Sequence, residues 1–175
     1  MNIEEDLLLY NYADVMQRIE DRIGETSGLV DFPALFNEID DGLFAYLCQK
    51  SFNGYPKVRA LLPDWASATV RQDSTGAFTL HEHILDAYQF WRLVKSTFLE
   101  MGGVDISRAL VLDYGAGWGR VTRLVAKDVS RSRLFGSEPN PVFQDIFEKC
   151  SLPATLIKTD WEGSMPFRVE RDTLI

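Results

Sequence analysis

One stretch of the chain has the residue types and spacing to meet a ligand with its backbone: Asp113-Tyr114-Gly115-Ala116-Gly117-Trp118-Gly119-Arg120. It follows the apolar run Ala109-Leu110-Val111-Leu112, and its three alternate glycines lead into a segment of helical character. Glycine lets the main chain turn sharply and lets a ligand approach N–H groups that a Cβ would shield. Such a loop, at the carboxyl end of a buried strand, is where open parallel sheets take their ligands. A dinucleotide site wants G-x-G-x-x-G with a helix N-terminus aimed at a pyrophosphate. Here the glycines are 115, 117 and 119, and residue 120 is Arg. The acid that enters the loop, Asp113, opposes a pyrophosphate and suits a ligand with an ammonium group and hydroxyls.

Two more acids stand at the ends of β-type runs, in Leu134-Phe135-Gly136-Ser137-Glu138-Pro139 and in Lys158-Thr159-Asp160-Trp161. Over about residues 107–175 these features together resemble the class I S-adenosylmethionine-dependent methyltransferases. The first motif of that family, D/E-x-G-x-G-x-G, is matched by Asp113 to Gly119, most closely in its G-x-G-W-G-R form. The resemblance implies a cofactor site built from Asp113, Gly115, Ala116, Gly117 and Trp118. It places Glu138 on the ribose hydroxyls and Asp160, with Trp161, at the adenine. The chemistry of the residues agrees. A carboxylate at a strand end can accept two charge-assisted bonds from vicinal hydroxyls. Asp160 can accept from an exocyclic amine while Trp161 packs on the purine face. Asp113 either holds the methionine amino group or orders the glycine loop, and Trp118 either meets the ligand or packs on the next helix.

Methyl transfer asks a protein to align the nucleophile, exclude water and, for a weakly acidic acceptor, remove a proton. In the family the groups that do so commonly lie at or after the fourth strand. This chain reaches only Asp172-Thr173-Leu174-Ile175 there, so no catalytic residue is assigned and the expectation is a truncated, cofactor-binding portion of an enzyme. In related methyltransferases a helical extension before the first strand covers the cofactor. Here Arg71, Thr75 and Tyr88 are the candidates to reach a carboxylate or the acceptor from it, Arg71 because a guanidinium pairs bidentately with a carboxylate. His81-Glu82-His83 invites a metal, but residues two apart on a helix diverge by about 200°. No metal is expected.

The elements that must position these groups divide by character near residue 105. The expectation is a helical extension over residues 1–104 and an α/β domain over 105–175, with a Rossmann-like parallel sheet of strand order 3-2-1-4. Three-to-four spacing of Leu8, Tyr12, Val15, Ile19 and Ile23 predicts a helix over Glu4–Ile23, stopped by Gly24. A second is predicted over Asp31–Leu47, with Asp31 as N-cap and Pro33 in the first turn. A third runs Leu80–Met101, its stripe of Ile84, Tyr88, Trp91, Val94, Phe98 and Met101 facing the sheet. The second half reads as strand Ala109–Asp113, helix Gly119–Lys127, strand Arg133–Glu138, helix Pro141–Lys149, strand Thr155–Thr159 and the opening of a fourth strand. This βαβαβ series specifies right-handed parallel crossovers. The first strand is too apolar for an exposed edge. Either the N-terminal helices cover it, or a second copy or a further segment does.

Composition bounds the functions. The 175 residues are 46% apolar and 25% charged, enough to bury a core. The formal charge of -8 argues against a non-specific nucleic-acid binder, whose affinity rests on Lys and Arg at phosphates. No apolar run approaches the roughly 18 residues that span a bilayer, and the acidic start is no signal peptide. A cytoplasmic protein with no membrane partner is expected. Cys48 and Cys150 have no metal-type spacing and are expected as buried thiols. The helical cap points to a small-molecule or sugar-like methyl acceptor. Two other classes stand beside the enzyme: a non-catalytic S-adenosylmethionine-binding or interaction module lacking the acceptor half, and an NAD or nucleotide-sugar enzyme, against which the glycine spacing argues.

Overall fold

The computed structural model describes residues 9–25, 30–75, 79–103, 105–160 and 173–174. Helices come first: α1 (Ala13–Glu25), α2 (Phe32–Phe36), α3 (Asp41–Cys48), α4 (Pro56–Leu61), α5 (Ala68–Thr75) and α6 (Leu80–Glu100). Strands and helices then alternate: β1 (Leu110–Tyr114), α7 (Thr122–Val125), β2 (Leu134–Glu138), α8 (Pro141–Lys149) and β3 (Thr155–Lys158). The result is a mixed fold around an open, all-parallel sheet. β1 pairs with β2 from Val111–Leu134 to Tyr114–Ser137, and β2 with β3 from Phe135–Thr155 to Glu138–Lys158. A two-residue strand, β4 (Thr173–Leu174), runs parallel to β1 on its other side, opposite Leu110 and Val111. Successive side chains of a strand point to opposite faces, and Val111 and Leu112 are both buried, so β1 is covered on both faces.

Several element boundaries differ from those the pattern predicts. The stretch Asp31–Leu47 is two helices. Asp40 breaks it, because its side chain accepts from Leu43 N at 2.8 Å and starts a new N-terminus. Asp31 stands at the N-cap of α2 without a side-chain cap bond. The first helix runs through Gly24 to Glu25, since a lone glycine near a helix end costs only about 1 kcal/mol. Its Glu20 is buried and accepts from Lys57 N and Val58 N, both at 2.9 Å, which ties α1 to the first turn of α4. The helix after the glycine loop is only Thr122–Val125, flanked by turns.

The long helix α6 starts with a capping box, Thr79 with Glu82. It packs against α3 and α7 rather than chiefly against the sheet. Ile84, Ala87 and Trp91 are buried, but Met101 is 82% exposed, and Leu85, Phe90, Leu93 and Leu99 also face outward. The helical layer is bound to the sheet half by a ring of charges. Asp41 of α3 meets Lys95 of α6 and, at 3.0 Å, Lys127, while Lys95 lies 2.9 Å from Asp128. Trp91 Nε1 donates to the same Asp128 oxygen at 2.7 Å.

Candidate functional site

The glycine loop leaves β1 and is tied down at four points. Gly115 N and Ala116 N both donate to the Ser137 carbonyl of β2, at 2.8 and 3.0 Å, so the first turn of the loop is clamped to the neighbouring strand. Asp113 Oδ2 accepts from Thr122 N at 3.1 Å and from Thr122 Oγ1 at 2.5 Å, joining the end of β1 to the start of α7. Asp113 thus orders the loop, the second of the two roles its position allows. Burial pushes its carboxyl pKa up, against the pull of the Thr122 bonds and of Arg120. The third tie is Glu138. Its Oε2 accepts from Gly117 N at 2.7 Å and its Oε1 from Asn140 N at 2.8 Å. The fourth is Trp118.

The three glycines are needed for different reasons. Gly115, Gly117 and Gly119 have φ of +72°, +56° and +80°. A Cβ on Gly115 or Gly117 would meet nothing within 4 Å, so both face open space. On Gly119 it would run into Leu152 Cδ1. Gly119 is therefore a packing glycine, and the first two present backbone to the outside. A fourth glycine, Gly136, was marked by no motif. A Cβ there would come within 2.8 Å of Phe147 Cε2 and 3.2 Å of Ala116 Cβ, so its absence lets the loop sit directly on β2.

Trp118 turns inward. It is 2% exposed, with its ring 5.3 Å from Trp65 and edge-on to His83 at 5.9 Å. Of the two roles open to it, the structure gives it packing. Ala116 is buried as well. Tyr114, at the end of β1 and 59% exposed, stands at the outer surface beside the loop. It fills a variable position of the D-x-G-x-G-x-G motif, which carries no expectation of its own, and the strand runs one residue further than the pattern predicts. Gln144 is a second omission. Its Nε2 donates to Glu138 O at 2.7 Å and Thr159 O at 3.2 Å, fixing the ends of β2 and β3 together.

The remaining candidates lie further out. Asp160 is exposed, two residues past β3, and Thr159 N donates to Glu138 O at 3.3 Å. Trp161 and the side chain of Thr75 lie outside the described residues. Arg71, on α5, gives one guanidinium arm to the Ala66 carbonyl, and its charge bears on His83. Tyr88 lies under Arg92, with its hydroxyl toward Gly42 of α3. His81 faces Gln49 at 3.5 Å, while His83 is buried against Trp118. Burial, with Arg120 and Arg71 nearby, holds the His83 pKa down. Among the described residues no group of three or more His, Cys, Asp or Glu is placed to hold a metal, and no helix is long and apolar enough to cross a membrane. Cys48 and Cys150 are free, buried thiols.

The structure thus brings together Asp113, Gly115, Ala116, Gly117 and Glu138 at the carboxyl ends of β1 and β2, with Asp160 at the end of the next strand. Comparison with family models, curated proteins and solved structures finds no match.

Proposed function

We propose that the chain is the cofactor-binding portion of a class I S-adenosylmethionine-dependent methyltransferase with a Rossmann-like sheet of order 3-2-1-4, acting on a small-molecule or sugar-like acceptor. The observation that carries this is the pairing of Gly117 with Glu138. A carboxylate at the end of β2 holds the backbone of a glycine loop leaving β1, at a point where the loop faces open space. The two groups belong to adjacent parallel strands, where sheets of this kind take nucleoside-bearing ligands.

The residues fit such a cofactor. A carboxylate has about four acceptor positions, and Gly117 and Asn140 occupy one on each oxygen of Glu138. The others are free in number to take the two hydroxyls of a ribose. The open backbone at Gly115 and Gly117 admits the amino-acid end of the ligand, and Asp113 places a carboxyl at the base of the loop. Asp160 is at the strand end beyond Glu138, where an adenine amino group needs an acceptor. When bound, S-adenosylmethionine supplies an activated methyl on a sulfonium. The chain's own part is to bind it, orient it and keep water from it.

The test is calorimetric titration of the full chain with S-adenosylhomocysteine, followed by Gly117→Val. Binding at one site, lost in the variant while the fold persists, is expected. Unchanged affinity in Gly117→Val refutes the site, and no binding by the natural sequence refutes the function. Binding without methyl transfer to any acceptor selects the non-catalytic module.

A further inference from the structure

Arg123 is the largest fully buried side chain among the described residues, at 0% exposure. Its guanidinium lies 4.0 Å from the ring centre of Trp65 and 5.3 Å from that of Trp118. Its Nε donates to Gly119 O at 3.1 Å, its Nη2 to Asp64 O at 3.2 Å, and its Nη1 has no partner. The thiols of Cys48 and Cys150 lie near it, and burial lowers its pKa to about 10, so it stays charged at neutral pH. It meets two main-chain carbonyls, one in the glycine loop and one in the helical layer, and the Cys150 thiol, none of them a carboxylate. A buried cation without a carboxylate bonded to it is costly, and the best-attested reason to keep a buried charge is that it fixes a geometry.

The geometry in question is that of Trp118, which sits between Gly117 and Gly119, both at positive φ. Glycine populates both signs of φ about equally, so these residues do not set the loop's shape themselves. A side chain fixed between them does. Trp118 is held by Trp65 and His83 from the helical layer and by Arg123 from α7. Trp65 is in turn anchored by Nε1 donating to Cys48 O at 2.8 Å, and Asp64 N donates to Cys150 O at 2.9 Å.

We infer that Trp65 and Arg123 are positioning residues for the ligand loop: they clamp Trp118 and the Gly119 carbonyl, and so hold Gly117 N where Glu138 and a ligand meet it. The helical layer is then a foundation under the loop, and its contribution to binding comes from a residue that touches no ligand. The effect on ligand affinity rests on the methyltransferase reading; the effect on the loop does not.

The test uses the full chain and two readouts: amide hydrogen exchange, resolved over Gly115–Arg120 and over β2 and β3, and titration with S-adenosylhomocysteine. Arg123→Met replaces the cation by an apolar chain of similar length, the kind of exchange buried ion sites tolerate. Trp65→Leu removes the ring under the guanidinium, and Trp65→Phe keeps a ring there. In Arg123→Met and Trp65→Leu the Gly117 and Gly119 amides should exchange at least about tenfold faster, with β2 and β3 unchanged, and the affinity should fall by about the same factor. Trp65→Phe should restore both to within about threefold. If Trp65→Leu fails to fold, Arg123→Met decides. Loop exchange within twofold of the natural protein in Arg123→Met overturns the inference. So does an equal loss of protection in β2 and β3, which would make Arg123 a residue of the core at large. If the natural chain does not bind S-adenosylhomocysteine, the proposed function falls, and the exchange data still decide the role of the clamp.

Discussion

Glu138→Gln is the sharpest single perturbation of the site, because it keeps the shape and changes only what the carboxylate can accept. Glu138 is 5% exposed and takes one backbone N–H on each oxygen, Gly117 at 2.7 Å and Asn140 at 2.8 Å. A glutamine offers one oxygen and one NH₂. Whichever way it turns, one of the two backbone donors faces another donor. That bond is lost and its N–H left unpaired, at about 1.5–3 kcal/mol, and the other falls from charge-assisted to neutral, at roughly 0.5–1 kcal/mol. The sum, about 2–4 kcal/mol, corresponds to a fall in Tm of roughly 4–16 °C for a chain of this size. Urea denaturation at pH 7 reads it as a lower midpoint at unchanged slope. The same change should weaken S-adenosylhomocysteine roughly 10- to 100-fold, and its 2′-deoxyribose analogue less. A stability loss below about 0.5 kcal/mol would show that Glu138 does not hold the Gly117 amide in solution, and the loop geometry would have to be abandoned.

Three further outcomes follow from the same structure. Asp41→Asn should cost about 1–3 kcal/mol, between the values for exposed and buried pairs, because its carboxylate serves both Lys95 and Lys127 and is only a quarter exposed. The bonds to those lysines outweigh burial and hold the Asp41 pKa below 3.8, while the Lys95 pKa is raised above 10.5 by its two aspartates. The stabilisation is therefore complete between about pH 4 and 10 and is lost as pH falls through the folded Asp41 value or rises through the folded Lys95 value; in the variant the acid limb of the midpoint's pH dependence should be shallower, while the alkaline limb persists in part through Lys95 and Asp128. Gly119→Ala should destabilise more than Gly117→Ala, by at least about 1 kcal/mol in paired urea melts. Both force alanine to positive φ, but only at 119 does the new Cβ strike Leu152. Cys48, its thiol pushed up to about 12 by burial, should resist alkylation at pH 8 while the protein is folded and react fully in denaturant; fast labelling of the native protein would contradict its placement.

The parallel βαβαβ series was legible because it rests on local signals, a continuous apolar run at Ala109–Leu112, glycine punctuation and a helical stretch opening at Pro141, to which the structure adds Asn140 as the N-cap accepting from Val142 N at 3.0 Å. Less legible were features set by contacts distant in sequence. Arg123, in a segment spaced like a surface helix, looks like a solvated arginine until Trp65 and Asp64, about 60 residues earlier, are brought over it. Trp118 has the same ambiguity, and only the presence of Trp65 and His83 on one side of it decides inward over outward. The stripe of α6 was legible as far as Phe98, since Ile84 and Trp91 are buried and Tyr88, Val94 and Phe98 pack on the core, while Met101 lies past the helix end and is exposed; what was not legible is that α3 and α7, rather than the sheet, cover it. The break at Asp40 turned on a single cap that a run of helix-compatible residues conceals.

The charge ring between the helical layer and the sheet half also sets an order of assembly. Asp41 and Lys127 are 86 residues apart. At synthesis rates of about 5–20 residues per second, roughly 4–17 s separate the emergence of one from that of the other on the ribosome. During that interval Cys48, Trp65 and the inner face of α6 have no sheet half to close against. The residues before α7 then wait for it to reach their final packing, and the nascent chain meanwhile carries an open apolar surface that a holding chaperone can recognise. A codon-level slowing downstream of residue 101 would lengthen that exposure, and a loss of soluble yield without any change of amino acid is the form the consequence would take.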